Sequence, residues 1–401
     1  MTSALLASIH RVHEDVPHRV KDEEKALLFR EICAGRTTRK GLARRLGIRP
    51  SSVSAAVQEL IDRGLVAETQ PFAKGKSGRP RAILSPRLGR FVAISIYVDS
   101  RVVKGVLVDL GEEVLAEEMR VLPPGAGNRE LAAAIRALLA SLPSRVPAGS
   151  ELVGAGLSLV GTVNARSRTW VGVARWPKLR NLDVAAIESR LGFPLILRRT
   201  NDVELAHALD AGRDSRTITA VLLHWGFGIG SAVSFRGTLL TSSLGRFGEI
   251  GHARLYPASR APCLCGALGC LETRAALWAL LPALRRRLGS LPEDETELAT
   301  ILGESRILDL REVTLALDAV RQALLVLYMI FYPDSILLSG PLMENPDIFC
   351  RVEESFLRSL PPYARGAVTL SVIPGGMPGC RRGGANPLFR DALARTLRRS
   401  S

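Results

Sequence analysis

The sequence predicts an α/β protein in which a small winged helix-turn-helix module heads a two-lobed body. Three observations carry this. Basic charge is concentrated at the head of the chain: of a formal net charge of +15 over 401 residues, +9 falls in residues 1–90, with 18 Lys+Arg against 9 Asp+Glu. The same stretch holds three short helical patterns, followed by two strands around a basic, Gly-rich tip. From about residue 88 strands alternate with helices, and a hairpin opens each half of that stretch, which suggests two similar lobes with a cleft between them. Composition is otherwise ordinary globular, at 47% hydrophobic and 23% charged residues, and the length allows two or three domains.

Taken in order, residues 24–35 set Ala26, Leu27, Phe29, Ile32 and Cys33 on a helical pattern that Gly35 ends. Thr37 or Thr38 can cap a second helix, which Gly47 stops. A third helix covers about 50–63, with Pro50 in its first turn. Val53, Ala56, Val57, Leu60 and Ile61 form its apolar stripe. Arg49, Ser51, Ser52, Ser54 and Gln58 lie before or beside that stripe. Small polar side chains let a helix enter the major groove, and Ser or Gln can bond base edges or phosphates. Leu65–Thr69 and Ala82–Leu84 read as the strands of a wing. Lys74, Lys76, Arg79 and Arg81 at its tip would meet phosphates or a minor groove. The expected partner is double-stranded DNA. A three-helix module for binding protein is the blander reading of the same pattern.

In the body, Phe91–Tyr97 and Val102–Asp109 read as a hairpin, 129–142 as a helix and Leu152–Val160 as a strand. A helix is expected over 183–191, then a strand over 194–198 that ends at Thr200-Asn201-Asp202. A second hairpin turns through Gly226-Phe227-Gly228-Ile229-Gly230. Helices, a strand at 335–338 and a final helix near 387–398 complete the chain. The expected domains are residues 1–85, 86–200 and 201–385, with the last helix, about 386–399, returning to the first lobe.

Chemistry is densest at His252, Cys263, Cys265 and Cys270. Three thiolates and one imidazole make a closed tetrahedral set of the kind a structural Zn²⁺ takes. Glu249 and Glu272 bracket the cluster. The other cysteines are scattered, no secretory leader is visible, and no run reaches 18 apolar residues. The expectation is a cytoplasmic, nucleoid-associated protein that does not engage a membrane.

The stretch GFGIGSAVSFRGTLLTSSLGRFGEIGH, followed by CLCGALGCLE, resembles the signature of the ROK family of repressors, uncharacterised frames and sugar kinases. The N-terminal module likewise resembles that of bacterial winged-helix repressors. The resemblance runs from about residue 24 to the end. It implies an actin-like, ribonuclease-H-like sugar-kinase fold, a homodimer or homotetramer on a palindromic operator, and a sugar or sugar-phosphate effector. It implies sugar contacts at Asn201, Asp202, Glu249, His252 and Glu272, with Asp202 at the position of the kinases' general base.

The family's phosphate-binding pattern Asp-x-Gly-x-Thr is degenerate in this chain. Ser95 stands at the Asp and Tyr97 at the Gly, and Ser339-Gly340-Pro341 replaces a Gly-rich turn. Val160-Gly161 stands where Pro-Gly is usual. The sequence therefore favours a regulator with no catalytic residue, Asp202 being a vestige, over an active ATP-dependent sugar kinase.

Overall fold

The computed structural model describes residues 4–9, 20–69, 82–211, 218–256, 259–373 and 383–398. After the single turn α1 (Ala4–Ala7), the N-terminal module consists of α2 (Val20–Cys33), α3 (Arg39–Leu46), α4 (Pro50–Asp62) and the antiparallel pair β1 (Val66–Thr69) and β2 (Ile83–Pro86). Thr38 caps α3 by accepting a bond from the Gly41 N–H at 3.1 Å, and Gly47 closes it with a φ of 67°, the left-handed conformation that favours glycine. Val53, Val57 and Leu60 bury one side of α4 against Leu28, Phe29, Ile32 and Leu42. The wing tip lies outside the described residues.

Next come β3 (Phe91–Asp99), β4 (Val102–Asp109), β5 (Val114–Val121), α5 (Asn128–Ser141) and β6 (Glu151–Leu159). A small three-stranded sheet of β7 (Thr162–Asn164), β8 (Thr169–Gly172) and β9 (Leu182–Asp183) leads through α6 (Ala185–Glu188) to β10 (Leu195–Arg199). The helix expected over 183–191 is therefore a single turn, because residues 182–183 pair with β8 instead.

The second lobe starts with α7 (Thr200–Ala211). It continues through β11 (Thr219–Trp225), β12 (Ile229–Phe235), β13 (Thr238–Leu239), α8 (Glu272–Ala275), α9 (Leu277–Leu288), α10 (Glu295–Gly303), α11 (Arg311–Phe331), β14 (Ser335–Ser339), α12 (Pro346–Ser359) and β15 (Thr369–Val372). The last helix is α13 (Asn386–Leu397).

The two five-stranded sheets repeat one plan. In the first, an antiparallel meander β3–β4–β5 is extended by parallel β6 and β10; in the second, β11–β12–β13 is extended by parallel β14 and β15. This repeat is the duplicated architecture that the two hairpins predict. The helix α11 is long and apolar enough to cross a membrane, but Val313, Ala316, Val320, Leu324 and Leu327 bury its inner face in the second-lobe core.

Helix α13 joins module and body. Its Leu388, Phe389 and Leu393 pack with Phe91, Ala93 and Val153 of the first sheet and with Leu28 and Phe29 of the module in one continuous core. Truncating the fully buried Phe389 to Ala removes a large side chain from that shared core and should cost about 3–5 kcal/mol. Urea unfolding followed by circular dichroism measures this, and a loss below about 1 kcal/mol would show that module and lobe do not share one packed core.

Candidate functional site

The first candidate surface is the outer face of α3 and α4. Burial of the apolar stripe leaves Arg49, Ser51, Ser52 and Gln58 exposed and Ser54 half-buried. Arg39 crosses between the helices. It donates to the Ser54 carbonyl at 3.1 Å and to Gln58 Oε1 at 3.3 Å, and it pairs with Glu68 of the wing at 2.8 Å. Gln58 also donates to Asp62 at 2.9 Å, so it is already bonded inside the module. Lys74, Lys76, Arg79 and Arg81 lie outside the described residues.

The second is the cleft, a cavity of about 750 Å³ with walls from both lobes. The end of β10 builds one wall. Its burial alternates through Leu195, Leu197 and Arg199, so a guanidinium takes the last buried position. Arg199 donates to both carboxylate oxygens of Asp202, at 3.0 and 3.4 Å, to the Ser231 carbonyl at 2.8 Å, and to the Phe247 carbonyl. It also stands 3.9 Å from Glu249. Asn201 and Asp202 open α7 and do not end a strand, since β10 stops at Arg199; an acid in the first turn suits the positive end of a helix.

The glycine turn after β11 faces this wall. The glycines lie close to site side chains: a Cβ at Gly226, Gly228 or Gly230 would lie 2.5 Å from His224 Nε2, 2.8 Å from Glu272 Oε1 or 2.5 Å from Asn201 Nδ2. Two of its backbone donors go to carboxylates. The Ile229 N–H donates to Glu272 at 2.8 Å and the Phe227 N–H to Glu295 at 2.9 Å. Glu295, at the start of α10, also pairs with Arg175 of the first lobe at 3.3 Å, and the Arg175 guanidinium stacks 4.0 Å above the Phe227 ring. Ser100 uses both sides of its hydroxyl here, donating to the Glu293 carbonyl at 2.7 Å and accepting from the Glu295 N–H at 3.3 Å. These bonds close one end of the cleft across the two lobes. Ser95 and Tyr97 are buried and are not on the cavity wall; Tyr97 packs in the core shared with α13.

At the other end lie His252 and the cysteines. The four candidate ligand atoms sit within 4.8 Å of one another, with His252 Nδ1 3.7 Å from Cys263 Sγ and Cys265 Sγ 3.7 Å from Cys270 Sγ. A tetrahedral ion with metal–sulfur bonds of about 2.3 Å needs sulfur–sulfur edges of roughly 3.8 Å, so the donor set fits a closed metal site. Burial pushes the Cys263 thiol up to about 12 and raises that of Cys270, so a cation would be needed to hold them as thiolates. With Nδ1 turned to the sulfurs, His252 Nε2 points towards Glu249, 3.8 Å away. Burial also raises the Glu249 carboxyl, against the pull of Arg199 and His252.

Residues 94–374 match the ROK family. The chain belongs to that family. Residues 25–73 match the MarR family of winged-helix proteins. Among ROK relatives, the transcriptional dual regulator NagC of Escherichia coli is 26% identical over 360 residues, covering 85% of this chain and 86% of NagC. The xylose repressor of Caldicellulosiruptor bescii is 24% identical and covers 69% of each chain. In fold, a ROK transcriptional regulator homologous to E. coli Mlc superposes with a TM-score of 0.68 at 20% identity, over 94% of this chain and 99% of that one. A ROK hexokinase from Thermus thermophilus gives 0.58 at 23% identity, over 75% and 99%.

The ROK cleft brings together Asn201, Glu249, His252 and Glu272, all on the cavity wall. Asp202 is set behind them, held by Arg199. Glu272 lines the cavity but is buried, with one oxygen on the Ile229 N–H and the other accepting from Trp278 at 3.3 Å. Sequence reasoning missed Arg199, Arg175 and Glu295. An arginine in the buried phase of a strand is a readable sign for Arg199; the other two carry no local signal. Replacing Arg199 by Met leaves Asp202 uncompensated and two carbonyls without their donor. It should cost about 3–5 kcal/mol in denaturant unfolding. Arg199→Lys should not restore the loss, because one ammonium cannot reproduce the planar fork. Stability unchanged in Arg199→Met would remove Arg199 from this role.

Proposed function

We propose that this ROK protein is a DNA-binding transcriptional repressor whose cleft binds a sugar or sugar-phosphate effector and whose His–Cys₃ cluster holds zinc. The observation that carries the reading is the union, in one chain and through one packed core, of a MarR-type winged helix with a ROK cleft. Relatives of the chain are named as repressors, including the N-acetylglucosamine repressor of E. coli and the xylose repressor.

In this reading Asn201, Glu249 and His252 meet hydroxyl groups. Carboxylate and amide oxygens accept from hydroxyls, the amide N–H donates, and an imidazole ligated through Nδ1 donates from Nε2. Glu272 fixes the glycine turn, and Asp202 acts as the counter-ion of Arg199. Zinc braces the loop that carries His252 and contributes no reaction. The winged helices of a homodimer or homotetramer sit on a palindromic operator in the cytoplasm. Arg49, Ser51 and Ser52 meet the groove, and Lys74, Lys76, Arg79 and Arg81 meet phosphates. Effector binding changes operator affinity by a coupling of about 1–3 kcal/mol.

The fold shared with ROK hexokinase supports a second reading, an ATP-dependent sugar kinase. Against it stands the engagement of the Phe227 and Ile229 N–H groups by Glu295 and Glu272, which leaves those donors unavailable to phosphates. Hexose turnover with ATP, abolished by Asp202→Asn, would establish the kinase and defeat a purely regulatory role.

Two measurements test the proposal. Binding of a selected duplex, followed by anisotropy, should weaken steeply with salt. Replacing Lys74, Lys76, Arg79 and Arg81 by Ala should flatten that slope by up to about 0.9 for each phosphate that is no longer neutralised, whereas a slope already flat in the wild type would sink the DNA reading. Elemental analysis of chelator-free protein should find roughly one zinc per chain, absent from Cys265→Ser. Absence of zinc from the wild type would overturn the metal assignment.

A further inference from the structure

The cleft and α4, the helix proposed to face the groove, are joined by two helices in series. The first is α7, whose initial turn carries Asn201 on the cavity wall and Asp202 on Arg199. Twelve residues long, it spans about 18 Å and leaves the cleft entirely. At its far end Asp210 pairs with Arg390 of α13. One turn earlier, His207 Nε2 meets Glu112 at 3.2 Å, and the other oxygen of Glu112 accepts from Asn386 at the start of α13, at 3.1 Å. Arg390 also donates to Ser8 Oγ at 3.0 Å, so the short α1 is held at the same junction.

The second helix is α13. Its first half carries the junction with α7, and its last carbonyls are bound from the DNA-binding module. Arg63, the residue that closes the C-terminus of α4, donates through one nitrogen to the carbonyls of Thr396 and Arg398. Its other terminal nitrogen lies 3.7 Å from Glu59, one turn back on α4. Glu59 in turn accepts from the buried Lys25 of α2 at 3.1 Å. Between these ends, Phe389, Leu393 and Leu397 are buried in the core that also holds Leu28, Phe29 and Ile32.

Resting on the regulatory reading of the cleft, we propose that α7 and α13 form a relay from cleft to α4, jointed at Asp210–Arg390 and at Arg63. Each helix resists axial compression because its backbone bonds run along the axis, so a displacement of the first turn of α7 arrives at Asp210 largely undamped. Asp210 lies in a buried environment that raises its carboxyl, and the Arg390 guanidinium opposes that rise. The Asp210–Arg390 pair and the His207–Glu112–Asn386 bonds tie the two helices together, so a shift of α7 carries the first half of α13 with it. The Arg63 guanidinium holds the C-terminus of α4 to the end of α13, so movement of α13 tilts the recognition helix. Arg63, Arg390 and Asp210 are positioning residues, none of them on the cavity wall or among the groove-facing side chains.

Hydrogen exchange on the full-length protein, without ligand, tests the mechanical link. Arg390→Gln, with Asp210→Asn as the milder variant, should speed exchange in 386–398 and also at the C-terminus of α4, residues 59–65, while 263–272 exchange as in the wild type. Faster exchange confined to 386–398 would overturn the relay. A second measurement reads coupling. A duplex selected by the wild type is titrated with and without glucose, xylose, N-acetylglucosamine and their phosphates. Arg63→Gln should keep its calorimetric sugar affinity yet reduce the sugar-induced change in DNA affinity by about fivefold or more. An undiminished change would refute the relay. If no sugar alters wild-type DNA binding, the sensing reading fails and exchange alone decides the relay.

Discussion

The cleft depends on one buried guanidinium. Arg199 ends a strand of the first sheet, yet its donors are spent on the Asp202 carboxylate, the Ser231 carbonyl of β12 and the Phe247 carbonyl beside Glu249. The planar fork satisfies all three partners at fixed angles, so the wall of β10, the first turn of α7 and the loop that leads to His252 share one geometry. The pair it forms with Asp202 is costly to desolvate and costlier to break. Such an arrangement does little to raise total stability. It ties the surrounding segments of both lobes into one relative placement.

The glycine turn illustrates how one backbone shape serves different ends. A run of small residues after a strand can expose N–H groups to an anion. In this chain the anions are its own carboxylates, Glu272 and Glu295, with Arg175 and Ser100 completing the closure from the opposite lobe. The missing Cβ atoms of Gly228 and Gly230 make room for Glu272 and Asn201.

What the sequence makes legible follows from sequence distance. The four candidate metal ligands fall within 19 residues, so their spacing alone draws them together in the sequence. The helix-turn-helix is equally local, and Thr38, Gly47 and Pro50 mark its boundaries as expected. The hairpins that open each lobe are also local. The closure across the lobes is different: Ser100 and Glu295 are 195 positions apart, and nothing in either neighbourhood signals the other. Asn201-Asp202 is legible by type but reads as a strand end, because a polar pair after apolar residues resembles a turn until the helix beyond it is seen. Strand β5 escapes sequence reading since its alternation, Leu115, Glu117, Met119 and Val121 outward, mixes polar and apolar residues on the exposed face.

The energetics of the interlobe contacts bear on whether such a cleft can switch. Few hydrogen bonds cross near Ser100, Arg175 and Glu295, and each contributes a net of about 0.5–1.5 kcal/mol, with charged partners reaching about 3. Their sum is of the same order as the coupling free energy of about 1–3 kcal/mol typical of allosteric proteins. A closure held much more tightly would leave no open state for a ligand to act against, and one held much more loosely would not need a ligand to change it. The first lobe, by contrast, shares a continuous apolar core with the DNA-binding module through α13. The two lobes thus meet at the cleft through polar contacts, those of Arg199 among them, whereas the first lobe and the N-terminal module meet through packed apolar side chains. In the regulatory reading proposed above, apolar packing at one boundary and polar contacts at the other are what would let binding in the cleft act on the module.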